Sequence, residues 1–453
     1  MIICFFTSVY YFTLALFCYW FNFEKKNPRL YYAGFCLVQN FSYRLPESAN
    51  SDIFISFRIL KRIVFNLWRN KPEIKNFSDN SSSAIFDGSY KFIDFEPQYV
   101  EKLTEKKVGY FIAKNSLVCS DNFGSALCLS IVILLLTFPI IICSLFSKHR
   151  ANYSLLLTEV IENSGMLWLI KRNCISIIYD FIPYEKDGNM MSYILMKKNL
   201  EIIKVPSPGP LMTHNRILIG NSLAASSRYQ IDEIEHFKKT MFIDSVLKWI
   251  PEYSLSYISR YQNKNLATPP DSIGFYSHGS WIRKAETHSD DGLHIFETEN
   301  ILLSFIKEYL VAKSGVTLFI FLHPSEKQLE MIDKSKKRYS EIFGSIPFQI
   351  LSSDVNTAFA FEMIDVAVAA YSTIIYERLF CGFKTLLFAP PTLIDFPIKK
   401  SSLNKITAKS KDTLFNLLDN ALAKTTDDFF VTNNLEDYKF FGLPQKNNCV
   451  CQK

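Results

Sequence analysis

The stretch from residue 365 to residue 391 constrains this chain most. Asp365-Val366-Ala367-Val368-Ala369-Ala370 is a short apolar run, Tyr371-Ser372-Thr373 interrupts it, and residues 374–381 have helical character. Gly382 can end that helix, and Thr385-Leu386-Leu387-Phe388-Ala389 is apolar again before Pro390-Pro391 stops it. Strand, polar turn, helix and second strand, in that order, describe one crossover of a parallel sheet. The turn then lies at the carboxyl end of a buried strand, where a Ser-Thr pair presents hydroxyls and backbone N–H groups to an anion. An α/β protein holds a phosphate at such a place.

The same alternation extends upstream. Helices are expected over residues 155–170, 188–198 and 228–239, between strands at 174–179, 200–205 and 217–225. Residues 242–270, with Trp249, Tyr253, Tyr257 and Tyr261, read as a connector closed by Thr268-Pro269-Pro270. A new unit begins with a strand at 272–276 that ends in Ser277-His278-Gly279-Ser280, and a helix at 298–312 follows. A strand at 317–322 ends in His323-Pro324-Ser325-Glu326, and a helix at 327–343 and a strand at 348–351 lead back to the opening stretch. The pattern predicts an α/β fold of two open, Rossmann-like parallel sheets facing a cleft, and 453 residues are enough to build both. The expected divisions are an N-terminal region over 1–150, the rest of an acceptor-side α/β domain over 151–265, and a C-terminal domain over 271–430.

Composition matters mainly for the first 150 residues. The chain is 48% hydrophobic, with 40 Phe and 23 Tyr against 21% charged residues, more apolar than an ordinary soluble protein. Residues 1–23 carry no charge and are long enough to cross a hydrocarbon core; residues 122–147 form a second uncharged stretch, closed by Lys148-His149-Arg150. Without a basic leader or a small-residue cleavage site, the first is not expected to be a cleaved signal. Two full spans would set the basic residues 25–62 and Lys148-Arg150 on opposite sides of the membrane, against the usual preference for cationic loops inside. One segment is therefore expected to be a core element or an interfacial helix, the second kinked at Pro139. Association with the cytoplasmic face of the inner or plasma membrane satisfies most of the charges.

The net charge of +6 is scattered, without the basic and aromatic interleaving of a nucleic-acid binder, so a membrane surface or a phosphorylated substrate is the better partner. The ten cysteines include no CxxC pair and no Cys/His cluster at zinc spacing, and are read as reduced and mostly buried. Residues 53–67 fit an amphipathic helix and residues 76–83 a Ser/Asn-rich loop.

The chemistry-bearing residues of the second unit fall at strand ends in order: Ser277-His278-Gly279, then His323-Pro324, then Ser372-Thr373 with Glu377 one turn into the helix. A His before Pro is held extended, so that its imidazole can donate to a phosphate oxygen, and Glu377 can accept from ribose hydroxyls. Here the chain resembles the GT-B class of glycosyltransferases, in particular the bacterial capsule and lipopolysaccharide enzymes that include sialyltransferases and polysialyltransferases. Those families carry a His-Pro motif and a Ser/Thr motif that contact the donor nucleotide, matched by His323-Pro324 and Ser372-Thr373. They also carry an acidic pair followed by Gly that supplies a catalytic base. Glu185-Lys186-Asp187-Gly188 stands where that base is expected, interrupted by Lys186, whereas Asp290-Asp291-Gly292 matches the letters in the other domain. The resemblance spans residues 174–391 and implies an inverting transfer of a sugar from a nucleotide donor to a surface polysaccharide or lipid-linked glycan. Asp187, with Glu185, would be the base, and Ser207 and Gly209 in the Pro-rich loop would lie on the acceptor side. It implies neither metal nor cofactor; no Asp-x-Asp metal signature is present. The same architecture serves glycerol-phosphate polymerases and nucleotide-sugar epimerases, and a non-catalytic scaffold of polysaccharide assembly is the alternative outside enzymes.

Overall fold

A computed structural model describes residues 2–44, 74–76, 82–87, 100–101, 107–113, 150–181, 186–206, 209, 211, 217–250, 252–262, 268–283, 290–351, 357–370, 372–389 and 396–443. The helix expected over 53–67 and the apolar segment 122–147 lie outside these residues. The chain divides into two compact units. The first comprises Met1–Ser207, Leu211–Ala225 and Phe237–Leu247; the second comprises Pro208–Pro210, Ser226–His236 and Lys248–Lys453.

The first unit opens with helices α1 (Ile2–Trp20) and α2 (Pro28–Arg44). Short strands β1 (Ile74–Asn76), β2 (Ser83–Asp87) and β3 (Tyr110–Ala113) follow. Then come α3 (Arg150–Arg172), β4 (Ile177–Asp180), α4 (Lys186–Lys197), β5 (Glu201–Lys204) and β6 (Leu218–Ala225). Helix α5 (Arg228–His236) belongs to the second unit, and β7 (Met241–Lys248) closes the first sheet, whose order is β1-β3-β2-β4-β5-β6-β7. From β3 to β6 every pairing is parallel, and β1 runs antiparallel to β3. Side chains from α1 (Phe5, Phe12), α2 (Leu30, Leu37), α3 (Met166, Ile170) and α4 (Met190, Ile194) share a core with Ile178 and Ile202 of the sheet. Apolar strands buried on both faces are what parallel pairing requires.

One buried ion pair sits in that core. Lys204 Nζ donates to Asp180 Oδ2 at 2.6 Å and to Ser192 Oγ at 2.7 Å, joining the ends of β5 and β4 to α4. Both side chains are almost fully buried, so removing either partner strands a charge in the interior at a cost of about 3–5 kcal/mol.

The second unit continues with α6 (Glu252–Tyr261), β8 (Ser272–Tyr276), α7 (Asp290–Ala312), β9 (Thr317–Phe321), α8 (Ile332–Phe343) and β10 (Phe348–Ile350). β11 (Val366–Ala369), α9 (Ile374–Phe380), β12 (Thr385–Phe388) and β13 (Thr407–Ala408) complete the sheet, and α10 (Lys411–Ala423) and α11 (Thr426–Asn433) end the unit. The sheet order is β10-β9-β8-β11-β12-β13, with every pairing parallel. Renumbered within the unit this is 3-2-1-4-5-6, the dinucleotide-binding order, which reverses direction between β8 and β11.

Arg378 of α9, the largest fully buried side chain among the unit's described residues, holds the crossover together. It donates to the backbone carbonyls of Phe361 (2.5 Å), Ile364 (3.0 Å), Asp365 (3.2 Å) and Lys384 (3.4 Å), and its guanidinium lies over the rings of Phe361 and Phe383. Lys384 is bonded to Asp365 and to the carbonyls of Ala421 and Lys424, which ties β12 to α10.

Several expectations change in detail. Residues 242–270 are not a plain connector: they hold β7, an exposed edge strand hidden by its lack of alternation, and α6. The junction expected between 265 and 271 falls at Lys248, because Tyr257 and Tyr261 of α6 pack on Phe361. Residues 208–210 and α5 go with the second unit for a similar reason. Gln230 bonds Gly209, and the backbone N–H of Ile398 donates to the Tyr229 hydroxyl. The loop expected over 76–83 is flanked by β1 and β2, strands too short for a periodic signal. Asp290-Asp291-Gly292 is the first turn of α7. Of the cysteines among the described residues, Cys4, Cys18, Cys36 and Cys381 are buried and Cys174 is exposed.

Candidate functional site

In an open parallel sheet, ligands bind beyond the carboxyl ends of the strands that flank the reversal of order. In the second unit those strands are β8 and β11, with β9 next to β8. Tyr276 pairs with Phe321 and Val368 with Phe275, so the three strands end level with one another. Ser277-His278-Gly279 therefore leaves β8, His323 leaves β9 and Ser372-Thr373 leaves β11 along one edge.

The first two loops are built against each other. The His278 and His323 rings stack, with centroids 6.0 Å apart and planes at 21°. Gly279 takes φ +65°, and a Cβ there would meet Ser325 Oγ at 2.8 Å and His323 Nδ1 at 3.0 Å, so only glycine fits. Ser325 closes the second loop: its backbone N–H donates to His323 Nδ1 at 3.2 Å and its hydroxyl lies 2.7 Å from the same nitrogen. With Nδ1 accepting from the Ser325 N–H, the neutral ring carries its proton on Nε2.

Two buried carboxylates anchor these loops from below. Glu299 of α7 accepts from Ser277 Oγ (3.0 Å) and Ser280 Oγ (2.6 Å), and burial raises its pKa. Ser277 also accepts from the Gly279 N–H, so its hydroxyl is occupied inside the loop rather than turned to a ligand. Glu326 accepts from the His323 N–H (2.8 Å), Trp281 Nε1 (2.6 Å) and Tyr339 OH (3.0 Å). It thus joins the β8 loop, the β9 loop and α8 at one fully buried group.

The third loop is differently made. Thr373 is the N-cap residue of α9 but its side chain makes no capping hydrogen bond, and its hydroxyl and that of half-buried Ser372 have no protein partner among the described residues. One turn on, Glu377 Oε2 accepts from Tyr257 OH of α6 at 2.6 Å. Desolvation pushes the Glu377 carboxyl up to about 7, against the pull of the Tyr257 hydrogen bond. Burial and that carboxylate together hold the Tyr257 phenol well above its ordinary value. A carboxyl tuned to neutrality at a sheet's carboxyl edge is the kind of perturbed group that marks functional sites.

The remaining candidates are placed as follows. Pro324 is exposed beside His323. Gly209 belongs by contact to the second unit: at φ +108° its Cβ position lies 3.1 Å from the Tyr376 ring of α9, so a side chain there would be strained and would press on that ring. Asp187 is in the first turn of α4, after β4. Leaving β1 aside, the first sheet's order of 2-1-3-4-5-6 reverses between β2 and β4, so Asp187 follows a strand at that reversal. Glu185 and Ser207 lie outside the described residues. Among the described residues no group of three His, Cys, Asp or Glu side chains stands together as metal ligands would.

Tyr257, Trp281, Glu299 and Glu326 were not legible as site residues. For Trp281 and Glu326 a signal existed, since each directly extends a strand-end motif. Glu299 and Tyr257 reach the site from helices, and nothing local announces them.

No family model matches the chain, and no curated protein matches it. Among solved structures it is similar to a mutant O-GlcNAc transferase from Thermobaculum terrenum, at TM-score 0.40 and 11% identity over 91% of this chain and 75% of that one. It is similar to MurG from Acinetobacter baumannii (0.41, 10%, 79% and 95%) and to a UDP-GlcNAc 2-epimerase from Neisseria meningitidis bound to UDP-GlcNAc (0.41, 9%, 80% and 96%). At these scores and identities neither shape nor residues carry an activity across, and the functional reading rests on the chain's own side chains.

Proposed function

We propose that this protein is a nucleotide-sugar-dependent glycosyltransferase of GT-B type that adds a sugar to a surface polysaccharide or a lipid-linked glycan. The observation that carries the reading is the coincidence of three strand-end motifs with the reversal of a 3-2-1-4-5-6 sheet. The His278-Gly279 and His323-Pro324 loops and the Ser372-Thr373 turn would receive the donor's diphosphate or phosphate, and Glu377 the ribose hydroxyls. Donation from His323 Nε2 and the two hydroxyls would stabilise the charge that develops on the departing nucleotide. Asp187, with Glu185 beside it in sequence, is the proposed base that takes the acceptor hydroxyl proton as the glycosidic bond breaks.

The test is calorimetric titration of the purified protein with CMP, UDP, GDP and CDP, repeated on His323→Ala and on Ser372→Ala/Thr373→Val. One nucleotide is expected to bind, and both variants to weaken it at least tenfold. If no nucleotide binds, or if folded variants bind it like the wild type, the reading fails.

A further inference from the structure

The helix α1 exposes a continuous apolar stripe. Ile3, Phe6, Tyr10, Phe17 and Trp20 are 45–73% exposed, and Thr13 is exposed between Tyr10 and Phe17. Successive spacings of three and four residues place all six within about 100° of arc on a helix of 3.6 residues per turn. The opposite face, Cys4, Phe5, Ser8, Phe12, Ala15 and Cys18, is buried. It packs against α2 and α3, with Ala15 against Gly34 and the rings of Tyr19 beside those of Tyr31 and Phe35.

By length and composition α1 could cross a bilayer. Its packing argues against that pose: a spanning α1 would draw α2 and α3 into the hydrocarbon, and with them Arg29, Glu159, Lys171 and Arg172. A helix with one face in a protein core and the other lined by Phe, Tyr and Trp suits the plane of the interface instead. The charges beside the stripe decide the occupant. Neither α1 nor α2 carries an acidic residue in its first turn, and α1 has no charge at all. Lys25 and Lys26 stand exposed just beyond Trp20 and Phe21. The one carboxylate between them and α1, Glu24, accepts from Tyr32 OH on α2, and Arg29 is paired with Asp244. The exposed cations at the end of the stripe are complementary to anionic headgroups.

We infer that α1 lies flat on an anionic lipid surface, with Ile3, Phe6, Tyr10, Phe17 and Trp20 in the headgroup–acyl boundary and Lys25 and Lys26 at the headgroups. The inference is independent of the transferase reading, and its test needs no nucleotide. Purified full-length protein is floated with vesicles of phosphatidylcholine alone and of phosphatidylcholine with about 30 mol% phosphatidylglycerol. It is expected to bind the anionic vesicles. Phe6→Ser/Trp20→Ser is expected to lower the bound fraction more than tenfold with an unchanged melting midpoint, since both side chains are more than half exposed, whereas Phe17, whose ring lies against Phe21 and Phe23, is left in place. Lys25→Glu/Lys26→Glu is expected to weaken anionic binding by at least about fivefold for each lysine. Depth is read from Tyr10→Trp in a Trp20→Phe background. Brominated lipids are expected to quench the fluorescence gained by Tyr10→Trp most strongly when the bromine is near the headgroup. Strongest quenching by bromine at the chain end would mean a spanning helix and overturn the inference. Wild-type binding by a folded stripe variant would overturn it too. So would a stripe variant that loses melting stability or dimerisation while keeping its vesicle binding, because the stripe would then be covered by protein.

Discussion

Glu377→Gln separates a carboxylate kept for a ligand from one kept for the fold. In the unfolded chain the Glu377 carboxyl titrates near 4.5, and in the native unit burial holds it up to about 7. Between these values the native state keeps a proton that the unfolded state has released, so stability falls as pH rises through this window and is constant above about 7. The full difference is about 3 kcal/mol. Glutamine has no proton to lose, and its carbonyl can still accept from Tyr257. The variant should therefore match the wild type near pH 4.5 and exceed it by up to about 3 kcal/mol at pH 8, or roughly 6–12 °C in melting midpoint for a unit of this size.

The assay is a pair of melting series between pH 5 and 8.5, read as the difference between variant and wild type so that other titrations cancel. A difference that is flat across pH 5–8 refutes the reasoning, because the cost of ionising Glu377 in the native state would then be absent. Nucleotide titration across the same range gives the functional half. Wild-type affinity should rise with pH up to about 7 as the carboxylate forms, and the variant's should not. A stabilised variant with weakened, pH-independent binding is the signature of a site that gives up stability for function.

Ser372→Ala/Thr373→Val should leave the unfolding free energy from denaturant titration within about 0.5 kcal/mol of wild type, because neither hydroxyl caps α9, whereas an ordinary N-cap would lose about 1 kcal/mol. Arg378→Met should abolish cooperative melting of the second unit or cost more than about 4 kcal/mol by circular dichroism, since it strands four buried carbonyls. Glu326→Ala should cost about 2–4 kcal/mol in denaturant unfolding and weaken nucleotide binding, as it unties the His323 and Trp281 loops together. Lys204→Met should destabilise the first unit by about 3–5 kcal/mol in the same assay, with no direct effect on nucleotide titration of the folded fraction.

The sheet of the second unit was legible because its strands are apolar on both faces and each ends in a polar or Gly-containing turn. Residues 272–276, 317–322 and 365–370 could be read almost to the residue. What periodicity could not see was β7, whose apolar residues come in adjacent runs rather than alternating, or β1–β3, where three to five residues are too few to distinguish a strand from a loop. The 3-2-1-4-5-6 order was equally hidden, since pairing between β8 and β11 joins residues about ninety apart and no local pattern records it. The same long range hides Tyr257, which reaches Glu377 across 120 residues.

The described residues also separate charges that build the second unit from the one that marks its site. Arg378 meets four carbonyls, Lys384 a carboxylate and two carbonyls, and Glu326 three donors. Each of these groups meets at least three protein hydrogen-bond partners, as a buried structural charge needs. Among the described residues Glu377 has one protein donor, Tyr257, and its raised pKa records the shortfall. A ligand can supply the additional donors, and ribose hydroxyls are of the right kind beside a turn whose own hydroxyls are unused. The deficit at Glu377 and the unspent hydroxyls at Ser372 and Thr373 are thus complementary halves of one demand, for a ligand that accepts at one end and donates at the other.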